Sequence, residues 1–347
     1  MIGAITSLTG SEANYGASAK SGYSIAAARI NGAGGIRGKR VRIDVLDDKG
    51  TTDGAVAAIR DLIEKHKAAS VLGADSSSHS IAMAAFAQAR KIPMITPSAT
   101  NPKLTQQGYK TTFRLLANDN ALGAGLALHA ANNLKLKRVA IIDDRTAYGQ
   151  GVAEVFKKTA LARGMVVVDE QYTNATATDF MAILTAIKSK NPDTVFFGGM
   201  DPQAGPMLRQ MDQLGMSNLK FFGGDGICTA KLPENSGNAK SLAGVVCAEG
   251  GASLEKMPGG TAWKARYDAK YPGQFQVYSP YVYDAVHVLV DAMVRAGSAD
   301  PKVYLPKLFE TNYQGVTTKV GFEADGELKN PAMTLYVYKD GKKVALN

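Results

Sequence analysis

The sequence predicts an α/β fold of two doubly wound parallel sheets, and three observations carry that reading. Short runs rich in Val and Ile are apolar along their whole length, as strands covered on both faces are. Each is followed by a helix-length segment whose apolar residues recur at spacings of three and four. The alternation runs through one series, stops and starts again, and 347 residues are enough for two domains of ordinary size.

The chain opens on a strand at Ile2–Ile5. Further strands are expected at 41–47, 69–74 and 92–97, with helices at 16–31, 53–66 and 78–90, the second of these showing Ala55, Ile59, Leu62 and Ile63 on one face. The glycine-rich stretch 31–39 follows a helix and precedes a strand. A dinucleotide-binding loop needs the opposite order, so these glycines end a helix and turn the chain. The first series closes near Arg114–Ala117, and a second begins with a helix at 120–133 after Asp119. It continues with strands at 138–143, 165–170, 194–199 and 221–225 and helices at 149–163, 178–189 and 203–214. Strand-helix repetition of this kind implies right-handed crossovers. After Gly250 the pattern changes to two helical stretches, 261–271 and 279–296, with the segment 301–310 (PKVYLPKLFE) after them. The tail then gives the segment 318–322 (TKVGF), a turn at Ala324-Asp325-Gly326, and a terminal strand that returns through a Lys-Asp-Gly-Lys hairpin turn.

The formal net charge is +9, with 40 basic and 31 acidic residues. The basic residues are scattered without interleaved aromatics, and no nucleic-acid-binding signature is present, so a solvated basic surface is the reading rather than a nucleic-acid site. No apolar run is long enough to span a membrane. No charged and apolar leader precedes the first strand: either the protein is cytoplasmic, or Met1 replaces a removed leader. The two cysteines, Cys228 and Cys247, are either free and buried or bridged, and neither has a His or Cys partner at metal spacing. No metal and no cofactor are expected.

Open doubly wound sheets bind ligands at the carboxyl ends of their strands. The segments found there are 75–80 (DSSSHS), 98–102 (SATNP), 144–151 (DRTAYGQG), 200–205 (MDPQAG) and 225–229 (DGICT), which are small, polar and rich in hydroxyls. For any one of Ser77, Ser78 and Thr100, capping a helix is the ordinary role. Two such turns at one crevice would instead offer hydroxyls and helix N-terminal amides to a carboxylate. Asp225, between two glycines, is either a turn residue or the counter-ion of an ammonium group. The adjacent Asp75, serines and His79 tempt a hydrolase reading. A catalytic triad, however, converges from separate elements, and no G-x-S-x-G elbow is present. His66, His129 and His287 stand at helix-like positions. No catalytic residues are assigned.

The segments 7–16 (SLTGSEANYG), 30–48 (INGAGGIRGKRVRIDVLDD), 95–105 (ITPSATNPKLT), 143–151 (DDRTAYGQG), 198–202 (GGMDP) and 223–229 (GGDGICT), taken in order, resemble the type I periplasmic binding proteins. Within them the sequence is similar to the leucine/isoleucine/valine type that serves branched-chain amino-acid ABC transporters. The resemblance covers essentially the whole chain and implies two α/β lobes joined by three crossings, closing on ligand by a hinge. It places lobe 1 at 1–117 plus 250–328 and lobe 2 at 118–249 plus 329–347. By the same resemblance, Ser77 and Thr100 hold the ligand carboxylate. Ser98 and Ala99 turn their backbone to the ligand, the Ser98 carbonyl accepting from the ammonium. Asp225 is the ammonium's acidic partner, a position often held by Glu. Tyr148 closes on the ligand from the second lobe, Tyr15 stands at the pocket edge, and Tyr278 lies beside the ligand side chain. Asp119 lies near a crossing. Two positions depart from the family pattern: Asp75 replaces an apolar lining residue and Met200 a tyrosine. An anion at Asp75 facing the pocket disfavours leucine and favours a polar or cationic side chain; turned away, Asp75 caps the following helix. A first-lobe disulfide of some relatives is absent, since 47–50 reads DDKG, whereas Cys228 and Cys247 are expected to be bridged.

Function is therefore expected to be capture of a free amino acid, branched-chain or related, polar ones included, for delivery to the permease subunits of an ABC transporter. The receptor is expected to act as a periplasmic monomer, without nucleic acid and without chemistry on its ligand. A small-molecule-sensing regulatory domain of the same fold is the alternative; it would require an attached nucleic-acid-binding segment or an apolar dimer face.

Overall fold

A computed structural model describes residues 1–346; Asn347, the last residue of the expected second lobe, lies outside the described residues. In chain order the first elements are β1 (Ile2–Thr6), α1 (Ala13–Gly32), β2 (Ile43–Asp47), α2 (Thr52–Glu64), β3 (Val71–Leu72), α3 (Ser77–Arg90), β4 (Met94–Thr96), α4 (Lys103–Gln106) and β5 (Thr112–Arg114). There follow α5 (Asp119–Leu128), continued by a π turn at His129–Asn133, then β6 (Arg138–Asp143), α6 (Ala147–Ala162), β7 (Val166–Tyr172), α7 (Met181–Ser189), β8 (Thr194–Gly198) and α8 (Asp201–Gln213). The remainder is β9 (Lys220–Gly223), α9 (Leu232–Asn235), β10 (Val245–Glu249), α10 (Gly260–Lys270), α11 (Ser279–Ala296), α12 (Pro301–Phe309), β11 (Tyr313–Gln314), β12 (Lys319–Val320), β13 (Thr334–Lys339) and β14 (Lys342–Ala345). The chain divides into unit 1, Met1–Leu116 with Ala252–Pro331, and unit 2, Ala117–Gly251 with Ala332–Asn347.

Unit 1 is built on a five-stranded parallel sheet of order β2-β1-β3-β4-β5. Ile5, Ile59, Leu62, Val71, Met83, Met94 and Leu104 pack together in one buried cluster, so the apolar stripe of α2 is explained by what it covers. Strand order reverses at β1, whose neighbours are β2 on one side and β3 on the other.

Unit 2 carries a seven-stranded sheet of order β14-β13-β10-β9-β8-β6-β7, parallel from β10 to β7. The strand β13 adds antiparallel to β10, and β14 antiparallel to β13. Alternate strand residues feed two cores. Ala140, Ile142, Phe197 and Phe221 belong to one; Val139, Ile141, Phe196 and Phe222 belong to the other. Two covered faces are the physical reason these strands read as unbroken apolar runs. Here the reversal falls at β6, flanked by β7 and β8.

Several boundaries differ from expectation. β5 and β10 were not among the predicted strands, and the 69–74 run forms only two residues of ladder. His66 is not helical: it lies past the end of α2, its Nδ1 at 2.8 Å from Asp44 Oδ2. The hairpin between β13 and β14 turns at Asp340 and Gly341, with φ of 50° and 69°, the left-handed pair an Asp-Gly turn supplies.

Candidate functional site

In each unit the candidate residues gather where the strand order reverses, at the carboxyl ends of the flanking strands, which is where open α/β sheets bind ligands. In unit 1 these ends belong to β1 and β3, with the turn after β4 beside them. Gly16 lets the start of α1 approach closely, since a Cβ there would stand 1.8 Å from the Ser7 carbonyl oxygen. This seats Tyr15, which is buried, with its ring centroid 5.9 Å from that of Tyr278 at the start of α11. The turn after β3 carries Asp75 and Ser77. The Ser77 hydroxyl, 2% exposed, accepts from the Asn101 amide at 3.2 Å, tying this turn to the one after β4. In that second turn Thr96 Oγ1 accepts from the amides of Ser98 at 3.3 Å and Ala99 at 2.9 Å. Ser98 Oγ donates to the Ala74 carbonyl at 3.2 Å, and Thr100 is buried.

Two groups in these turns have definite partners. Asp75 does not cap α3. The N-cap of that helix is Ser76, and the Asp75 carboxylate instead bridges back to β1, where Oδ2 accepts from the Thr6 hydroxyl and from the Ser7 amide at 3.2 Å. Burial, seconded by the charge of Asp48, pushes the Asp75 carboxyl up to about 6. The backbone of Ala99 is held within unit 1: its amide goes to Thr96 and its carbonyl accepts from Arg114 Nη1.

In unit 2 the turns after β6, β8 and β9 converge. Thr146 Oγ1 caps α6 by accepting from Gly149 at 2.9 Å. A Cβ on Gly149 would lie 2.4 Å from the Gly198 carbonyl, so glycine is what lets this helix meet the end of β8. The next turn brings Met200 to the N-cap of α8. The Tyr148 phenol accepts from the Gly226 amide at 2.8 Å and is hydrogen-bonded to Asp225. Burial, then the charges of Asp225 and Asp119, push this phenol well above its ordinary range. Asp225 and Asp119 are themselves fully buried. Side chains at 224 and 226 would collide with this arrangement: a Cβ at Gly224 meets the Tyr148 oxygen at 2.6 Å, and one at Gly226 meets Met200 Sδ at 2.6 Å. Cys228 and Cys247 form a disulfide that joins the segment after β9 to β10.

Sequence reading missed two groups behind the unit 1 site. Arg114, wholly buried, donates Nη2 to the Asn101 carbonyl at 3.0 Å and Nε to Glu327 Oε2 at 3.0 Å, clamping the turn that carries Ala99 and Thr100. Asp48 accepts from Ser7 Oγ at 2.8 Å and lies 3.0 Å from His79 Nδ1. The serine and the histidine thus both hold the carboxylate rather than each other, which is not the geometry of an activated nucleophile. Apolar signals could not find either group, since each partner sits in a different turn.

Hydroxyls, aromatic rings and carboxylates stand at the switch points of two doubly wound units, where sheets of this kind bind ligands. The chain belongs to the periplasmic binding protein family: the model described as "Periplasmic binding protein" matches residues 1–343. It is 32% identical over 345 residues to an amino acid binding protein of Pseudomonas aeruginosa, covering 99% of this chain and 91% of the relative. To the leucine-, isoleucine-, valine-, threonine- and alanine-binding protein of the same organism it is 31% identical, covering 95% of this chain and 87% of the relative. Among solved structures it is similar to a leucine-binding protein of Thermotoga maritima, with a TM-score of 0.91, 27% identity, and coverage of 100% of this chain and 97% of that one.

Proposed function

We propose that this protein is an extracytoplasmic receptor that captures one free amino acid and hands it to the permease of an ABC transporter, without transforming it. The observation that carries the reading is the division of polarity between the units. Unit 1 gathers the Ser77 and Thr100 hydroxyls at its switch point, donors suited to an α-carboxylate. Unit 2 gathers the buried Asp225 and its Tyr148 partner, an anionic set suited to an α-ammonium. A zwitterion carries both groups these sets suit, with the Ser98 carbonyl as a second acceptor for the ammonium. Tyr15 and Tyr278 flank the rest of the molecule, and Met200 and Asp119 complete the unit 2 side. The relatives named for amino-acid binding support this class of ligand. The regulatory-sensor alternative has no observation of its own in its favour.

The test is a thermal-shift panel of the common amino acids, small amines and organic acids, followed by titration calorimetry. Ligands that bind the native state raise the melting temperature by mass action. At least one free L-amino acid is expected to do so. Removing a charge-assisted hydrogen bond costs about 1.5–3 kcal/mol, so Asp225→Ala and Ser77→Ala should each weaken binding by tenfold or more. Wild-type affinity in both variants would place the ligand elsewhere.

A further inference from the structure

We propose that Asp75 makes this receptor select an amino acid whose side chain ends in hydrogen-bond donors, cationic or amide, over an aliphatic one; the inference rests on the amino-acid reading above. The residue stands at the switch point itself. Its contacts with Thr6 and Ser7 join the end of β3 to the end of β1 across the line where the strand order reverses. Both of those donors go to Oδ2. Among the described residues Oδ1 has no protein hydrogen bond, and the side chain keeps part of its solvent access. One oxygen is anchored and the other is left without a protein partner, two residues before Ser77 at the carboxyl end of β3.

No lysine or arginine among the described residues forms an ion pair with this carboxylate. The charged groups that act on it are Asp48, which repels, and His79, which already lies against Asp48. The Tyr23 hydroxyl, on a side chain 1% exposed, has no hydrogen-bond partner and is near enough to feel the Asp75 charge. Two polar groups at one spot therefore have capacity left over. Burial above all, with the repulsion of Asp48, pushes the Asp75 carboxyl up to about 6.

An aliphatic side chain laid here strips water from Oδ1 and returns nothing, which is the costly case for a buried acceptor. An ammonium, guanidinium or amide terminus replaces the lost water with a hydrogen bond. Sites built around such a bond reject analogues that lack the donor far better than apolar pockets reject a missing methylene.

The experiment is titration calorimetry of the intact chain with L-lysine, L-arginine, L-glutamine and L-leucine, on wild type, Asp75→Leu and the isosteric Asp75→Asn. Wild type should bind one donor-ended ligand at least tenfold more tightly than leucine. Asp75→Leu should reverse that ranking, and Asp75→Asn, which keeps the shape of the turn, should narrow the gap for the cationic ligands. A wild type that ranks leucine first, or a ranking unchanged in both variants, overturns the inference and leaves the receptor reading standing. Failure of wild type to bind any common amino acid removes the receptor reading, and this inference with it.

Discussion

Replacing Glu327 by leucine should cost about 3 kcal/mol of unit 1 stability, and the figure follows from what the carboxylate holds. Arg114 lies at the end of β5 with no exposed surface. Its Nε donates to the two oxygens of Glu327 at 3.2 and 3.0 Å, and its Nη2 donates to Oε1 at 2.9 Å. Thr105 Oγ1 donates to the same carboxylate at 2.6 Å. Removing one partner of a buried ion pair strands the other charge and typically costs about 3–5 kcal/mol. The Glu327 side chain keeps 17% exposure, so water reaches part of the gap and the lower end applies. The assay is urea unfolding followed by fluorescence of Trp263, the one tryptophan of the chain, buried in α10 within unit 1. The double replacement Arg114→Leu/Glu327→Leu removes both charges and should be less damaging than the sum of the single changes by about 2 kcal/mol. A loss below about 1 kcal/mol for Glu327→Leu, or strict additivity in the double, refutes the clamp as the support of the turn at Ala99 and Thr100.

Three further outcomes are expected. The Cys228–Cys247 bridge, with a sequence separation of 19, restricts the unfolded chain enough to contribute about 3 kcal/mol; thermal unfolding of the double alanine variant should show that loss, and an unshifted melting curve would contradict it. Gly226→Ala drives a methyl to 2.6 Å from the Gly199 carbonyl and 2.8 Å from the Tyr148 ring, so it should retain the circular dichroism of the wild type yet bind amino acids at least tenfold more weakly, and affinity within twofold would clear Gly226 of that role. Asp75 titrates near 6 in the native chain against 3.8 for its ordinary value. A raised acid pKa gives stability that is complete below the unfolded value and lost as pH rises through the folded one, here up to about 3 kcal/mol. Ligand-free Asp75→Asn should therefore gain on wild type between about pH 4 and pH 7 in urea titrations, and a constant difference between the two proteins across that window would show that Asp75 is not held up.

What a single sequence discloses of such a protein is set by whether the signal lies within one element or between two. The strands of unit 2 announce themselves because Val139 to Ile142 must be apolar on both faces, a condition visible in consecutive residues. The turn at Asp340 and Gly341 is equally local, since left-handed backbone selects its residues. β5 was passed over for the opposite reason: its Thr112 and Arg114 look polar in isolation, and only the distant Glu327 makes Arg114 a buried residue. The site divides along the same line. The turns that carry Tyr148, Met200 and Asp225 could be located because they follow strands, and a doubly wound sheet delivers every such turn to one edge. Which way Asp75 points could not be read in that manner. A carboxylate between a strand and a helix can turn several ways, and what holds this one is Thr6, 69 residues away. Along such an edge, location is encoded locally and orientation by pairing, and that pairing is a contact that no stretch of the chain contains by itself.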